Sequence, residues 1–226
     1  MSKLSNSNNP NLKNLTRLFR RLLSLEYIRP EDIPSLDLYM DQVTSFMEEH
    51  LESSKRFESD KILTKTMINN DAKNDLLPSP YKKKYSKDHM IFLIFIYYMK
   101  NIMSINDIKK LLEPIEENYF GGNGKIPLSE VYGEIIDYLK QEQDDLFLNI
   151  RKEYKSSEKT FSNTSAELSD AEKEKLHRFA FICSLAFDVY LKKLMIETMI
   201  DEDFFMNEKE MKNKDSKSKN QKKKES

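Results

Sequence analysis

Ten lysines and four aspartates occupy residues 61–110, a local surplus of six positive charges in a chain whose net charge is -1. Three of the lysines are consecutive. Lys82, Lys83 and Lys84 follow Pro78-Ser79-Pro80 and lead into Tyr85-Ser86-Lys87. Compact cations in a short loop suit phosphate, and each phosphate they neutralise steepens the fall of affinity with salt by roughly 0.9 on a log–log scale. Just upstream, Lys65 to Asn74 reads as a helix with Met67, Ile68 and Ala72 as apolar anchors and the rest polar. Its Asn69 and Asn70 amides can bond adenine N6 and N7 in a major groove, and the Thr66 hydroxyl can reach base edges or phosphates. Asn is a poor interior helix residue, so an adjacent pair points to a use beyond stability. The plainer readings are a solvated lysine loop and a pair of amides that only solvate the helix. Tyr85 could reach a phosphate through its hydroxyl or pack beneath the loop. The candidate DNA contacts are therefore Lys65, Thr66, Asn69, Asn70, Lys73, Lys82, Lys83, Lys84, Tyr85 and Lys87.

Other chemistries find little support. His50, His89 and His177 are far apart, and Cys183 lies six residues from His177, so neither has metal-ligand spacing. Glu116-Glu117 and Asp144-Asp145 read as solvated helix faces. Gly121-Gly122-Asn123-Gly124 lacks the preceding strand and the following Lys-Ser/Thr of a phosphate cradle and reads as a turn. No catalytic residue, metal or cofactor is expected, and the chain is not expected to be an enzyme.

The elements that must hold these residues are helical. Only 4 Gly and 7 Pro occur in 226 residues, which disfavours the many turns a sheet needs. With 38% hydrophobic and 33% charged residues, the chain can build a modest core under a charged surface. One cysteine fits a reducing compartment. The longest apolar run, Met90 to Met99, is half the roughly 20 residues of a membrane span. A cytoplasmic protein without a membrane segment is expected.

The reading is all-α. Residues 1–34 form a polar tail and a short amphipathic helix, Leu15 to Leu25. A helix spans Leu38 to Leu51, and 52–60 is a charged linker. Ser86 caps an apolar helix running to about Met103, the centre of a module at 35–113. Ser104 to Asp107 opens a short helix ending near Leu112, before Pro114. The region 125–204 holds two long helices. One runs from Pro127 to about Tyr154 with a stripe of Val131, Ile135, Tyr138, Leu139, Leu146 and Ile150. The other, opened by a capping box at Ser169 to Glu172, runs to about Ile200 with Leu176, Phe179, Cys183, Ala186, Tyr190 and Leu194 at 3- and 4-residue spacing. Residues 111–204 hold eleven basic and twenty acidic side chains, and 205–226 form a Lys-rich tail predicted to be disordered.

The pattern Thr66-Met67-Ile68-Asn69-Asn70, Lys73, Leu76-Leu77-Pro78-x-Pro80, Lys82-Lys83-Lys84-Tyr85-Ser86 resembles bacterial proteins carrying the domain of unknown function 1836. That domain in turn looks like the DNA-binding part of MerR-type regulators. The likeness runs from about Leu38 through Ser104-Ile105-x-Asp107-Ile108-Lys109-x-Leu111-Leu112. It implies a winged helix-turn-helix in which helix 65–74 and the Lys82–Lys84 wing meet double-stranded DNA. The sequence departs from the pattern at three places. Asp71 stands where an aromatic is expected and would repel phosphate, Asn69 where Arg is usual, and Asp75 where Gly precedes the Leu-Leu pair.

The expectation is a DNA-binding transcription regulator. The helices of 125–204 would dimerise two copies or receive an effector, and the DNA site would be palindromic, with half-sites about one turn apart. The competing expectation is a protein-interaction adapter that no longer reads DNA, favoured by Asp71 and Asp75 on the presumed reading helix.

Overall fold

A computed structural model describes residues 27–164 and 167–202. The expectations for the Leu15–Leu25 helix and the tail at 205–226 lie outside the described residues. Those described form six helices and one two-stranded sheet, so the all-α expectation holds. The order is β1 (Leu38–Tyr39), α1 (Met40–Leu51), a 3-10 turn (Glu52–Ser54), α2 (Lys65–Lys73), β2 (Lys84–Tyr85), α3 (Lys87–Met99), α4 (Ile105–Tyr119), a second 3-10 turn (Phe120–Gly122), α5 (Leu128–Ser157) and α6 (Asp170–Asp201).

α3 is the axis of the core. Its residues His89, Met90, Ile91, Phe92, Leu93, Ile94 and Ile96 are all buried, which covers every side of the helix. A helix apolar all round is stable only when neighbours surround it. Here those neighbours include Val43, Phe46 and Met47 of α1, Ile68 of α2, Ile108 and Leu112 of α4 and Leu128, Tyr132 and Ile136 of α5, which share its core. The core therefore continues past the glycine turn into α5. There the Phe95 and Tyr132 rings meet edge to face at 5.5 Å, and the Tyr132 hydroxyl donates to the Ile28 carbonyl at 2.6 Å.

Three elements differ from expectation. α3 stops at Met99, with Lys100 as its C-cap and a turn to Met103. α4 runs through Pro114 to Tyr119. A mid-helix proline costs about 3 kcal/mol, but beyond it Ile115, Tyr119 and Phe120 pack on the core and offset that loss. In α5 the buried positions are Leu128, Tyr132, Ile136 and Ser157, while Ile135, Tyr138, Leu139 and Leu146 of the expected stripe are exposed.

The caps at Ser104 and Ser169 form as read. Asp107 N–H donates to Ser104 Oγ at 3.2 Å, and Ser169 N–H donates to Glu172 Oε2 at 2.9 Å. No described helix is long and apolar enough to cross a membrane.

Candidate nucleic-acid interface

α2 is fixed at both ends and along one side. Thr64 caps it, its Oγ1 accepting from Met67 N–H at 3.2 Å. Leu63 before it and Ile68 within it are buried. Its end is a Schellman motif: Leu76 N–H donates to the Asp71 carbonyl at 2.9 Å and Asp75 N–H to the Ala72 carbonyl at 3.2 Å. That motif needs a left-handed residue, and Asp75 supplies it at φ 54°. This is the position where the family pattern has Gly, so the resemblance carried a backbone requirement that Asp meets at some strain. Asp75 also accepts from Lys109 Nζ at 3.0 Å.

Asp71 does not face a phosphate. It is 1% exposed and pairs with Lys100 Nζ at the end of α3, which ties α2 to the core axis. The expected repulsion is therefore corrected, because the carboxylate is neutralised inside the fold.

The opposite side of α2 is solvent-facing. Thr66, Asn69, Asn70 and Lys73 are exposed and lie at i, i+3, i+4 and i+7, a single helical stripe. Ile68 and Asp71 lie across the helix from it. The stripe displays one hydroxyl, two amides and one ammonium, all free of the core.

The lysine loop is a tight hairpin. Tyr81 and Lys84 form an antiparallel bridge, with Lys84 N–H donating to the Tyr81 carbonyl at 2.9 Å. Between them Lys82 and Lys83 both have positive φ, 49° and 64°. This is a type I′ turn, whose two central positions are normally filled by Asn-Gly. Both lysines are exposed, and Lys82 Nζ lies 5.1 Å from the Tyr81 ring centre.

β2 continues this hairpin and pairs with β1, in the register Leu38 to Tyr85 and Tyr39 to Lys84. Lys84 Nζ sits 5.3 Å from the Tyr39 ring centre, and Lys65 of α2 pairs with Asp41. Tyr39 and Asp41 are two residues apart at the start of α1. The first turn of α2 and the lysine hairpin thus converge on one helix N-terminus, itself a centre of positive potential.

Tyr85 is separate from this surface. It is 4% exposed, stands edge to face on His89 at 5.6 Å, and burial raises its phenol above the usual range. Its role is the floor of the hairpin. Lys87, in the first turn of α3, is half-buried. Under the hairpin, Ser86 N–H donates to His89 Nδ1 at 3.1 Å. His89 is itself buried, and burial lowers its pKa. Its Nε2 has no hydrogen-bond partner within normal geometry, though the backbone of Ser79 and Pro78 favours the charged form somewhat.

Residues 52–60 read as a linker, which passes over Arg56 as a contact, and Lys61 just beyond that stretch is passed over too. Arg56 and Lys61 are exposed and help line a hollow of about 500 Å³ that Met67 of α2 also borders. The available signal was their charge and, for Lys61, its place three residues before the Thr64 cap. No group of His, Cys, Asp and Glu among the described residues is arranged to hold a metal ion.

Residues 28–135 match the family described as Domain of unknown function (DUF1836). The match extends beyond the motif-bearing stretch to the segments joined by Tyr132 and Ile28, so both of its ends lie in the same core. No curated protein and no solved structure matches the chain.

Proposed function

We propose, taking residues 28–135 as a DUF1836 domain, that this chain is a MerR-like, DNA-binding transcription regulator acting in the cytoplasm as a homodimer. The observation that carries the reading is the exposed stripe Thr66, Asn69, Asn70 and Lys73 on α2, set across the helix from its buried anchors. A face of amides, hydroxyl and ammonium matches the donors and acceptors of base edges and phosphates. The lysine turn supports it. Two lysines in left-handed backbone, where Asn-Gly would be relaxed, store strain of about 1 kcal/mol or more each. Such strain is kept where side chains at the tip have a use. Lys82, Lys83 and Lys84 would neutralise phosphates, while Arg56 and Lys61 add positive potential near the start of the reading helix, where Lys65 is paired with Asp41. The acids that favoured an adapter have other tasks, Asp71 inside the fold and Asp75 in the helix cap.

The test sets affinity against stability. Lys82→Asn/Lys83→Gly relaxes the turn and should raise stability by about 1 kcal/mol. It should also weaken DNA binding and lower the log–log salt slope by roughly 2, about 0.9 for each lost phosphate contact. Gel shifts over a salt series with genomic DNA fragments read the second effect and denaturant melts the first. An unchanged affinity and slope in this variant would sink the reading.

A further inference from the structure

Between α5, α6 and the end of α1 lies a hollow of about 1240 Å³. Tyr138, Leu139 and Leu146 of α5 and Met195 of α6 line it, and all four are exposed. A concave apolar surface of this size calls for an occupant.

The course of the chain says which occupant. The described residues begin at Tyr27, which itself lines the hollow. The next residue, Ile28, is buried, and its carbonyl accepts from the Tyr132 hydroxyl. Tyr138 to Ile150, the α5 wall, follow Tyr132 along the helix. A chain traced backward from Ile28 is therefore delivered to the near end of the hollow. Only Glu26 separates Tyr27 from Leu25. A segment tethered this closely meets the groove at an effective concentration of roughly millimolar, an advantage that a free partner lacks.

Leu15 to Leu25 lies outside the described residues, and its sequence reads as an amphipathic helix. Leu15, Leu18, Phe19, Leu22 and Leu25 recur at 3- and 4-residue spacing on one face, while Arg17, Arg20, Arg21 and Ser24 share the other. As a helix, Leu15 to Leu25 spans about 15 Å, and Tyr138 to Ile150 spans about 18 Å. The apolar face and the groove thus match in length. Charge agrees as well. Glu142 and Asp145 are exposed on the α5 wall. Arg20 and Arg21 flank the apolar face, and arginine can keep its stem on apolar surface while its head reaches an acidic rim. Lys192, also in the wall, is paired with Asp188.

We propose that this chain's own segment Leu15–Leu25 docks as a helix in the hollow between α5 and α6, antiparallel to α5 and with its apolar face inward. The bond from Tyr132 to Ile28 sets the register. Equal rise along two antiparallel helices puts Leu22 beside Tyr138 and Leu139, and Leu15 beside Leu146. α6 is otherwise held by Phe181 on Tyr154 of α5 and by Asp201 on Lys110 of α4, and the segment fills the gap between those supports. The proposal requires neither DNA nor a dimer.

The test uses the full chain carrying Cys183→Ser. Under mild oxidation, Leu22→Cys/Leu139→Cys forms a disulfide within one chain, seen as a reducible faster band on a denaturing gel. Ser24→Cys/Leu139→Cys, with its thiol on the arginine face, cross-links at least fivefold less. Failure of the first pair, or equal cross-linking of both, overturns the proposal. A product that joins two chains instead gives the hollow to the segment of a second copy and overturns the assignment to the same chain. In an otherwise wild-type chain, Leu18→Glu/Leu22→Glu uncovers the hollow. Its fluorescence with the neutral apolar dye Nile red rises at least threefold while thermal melting stays cooperative, because the core around α3 is untouched. A dye signal no higher than that of wild type overturns the proposal.

Discussion

Every isoleucine of α3 is buried, whereas Phe179, Ile182, Phe187 and Tyr190 of α6 face solvent. Both helices carry apolar residues around most of their circumference, so their sequences look alike. They differ in their neighbours. α3 shares a core with residues of α1, α2, α4 and α5. α6 touches α5 near Tyr154 and α4 near Asp201, and between those supports it borders an apolar hollow of about 1240 Å³ with Tyr138, Leu146, Met195 and Met199 in its walls. The first region satisfies its apolar groups internally and offers solvent a polar, cationic surface. The second leaves its apolar groups to be satisfied by something else. One molecule thus carries two kinds of surface, suited to partners of different chemistry.

The largest expected contrast comes from removing one side chain in each region. Ile68→Ala empties a fully buried site and should cost about 3 kcal/mol. Phe179→Ala, in protein dilute enough to be monomeric, should change stability by less than about 0.5 kcal/mol. Equal losses in denaturant titrations would erase the distinction. Next comes the buried pair that holds α2 to α3. Lys100→Met strands the Asp71 carboxylate and should cost about 3 kcal/mol, whereas Asp71→Leu/Lys100→Met should stay within about 1 kcal/mol of wild type. A double variant as unstable as the single would show that the pair is not coupled.

A smaller effect follows from His89. Burial, the largest influence, holds its pKa below 6.5, against weaker opposing contributions that include the nearby Asp88 and Asp37 carboxylates. The folded state therefore binds this proton less readily than the unfolded state. Its contribution to stability is complete above the unfolded pKa and is lost as pH falls through 6.5 towards the lower folded value, at no more than about 1.4 kcal/mol per pH unit. Melts of wild type and His89→Asn between pH 7.5 and 5 isolate this slope, and identical slopes would exclude it. The smallest change is Asp75→Gly. It relieves the left-handed backbone and gives up only an exposed contact with Lys109, so a gain of about 0.5 kcal/mol is expected by thermal melting. A loss would mean that the Asp75–Lys109 contact outweighs the strain.

The first region was largely legible in the sequence. Ser86 and Ser104 are caps whose partners lie within three residues, so local order is enough to read them, whereas the Thr64 cap was not read. α2 was legible in part: its helix, its polar face and the anchor Ile68 are as read, but Met67 is exposed and Asp71 takes the second buried position. What escaped depends on distant segments. Asp71 looked like a surface carboxylate because Lys100 lies 29 positions away. β1 is two residues long and exists only because Lys84 and Tyr85 come alongside it. The buried face of α5 is set by Ile28 and Phe95, so of the stripe chosen by spacing alone Val131 packs on the core while Ile135, Tyr138, Leu139 and Leu146 fell on the exposed side. Pro114 was read as a stop because nothing local announces that Tyr119 and Phe120 will be held by the core.

The bond from the Tyr132 hydroxyl to the Ile28 carbonyl has a practical outcome for the backbone between α4 and α5. Gly121, Gly122 and Asn123 lie open to solvent, while Leu128, Tyr132 and Ile136 a few residues later are locked among α3 side chains. A protease that severs the peptide at this turn would not release the downstream piece. The two fragments would co-elute as a nicked complex and come apart only in denaturant.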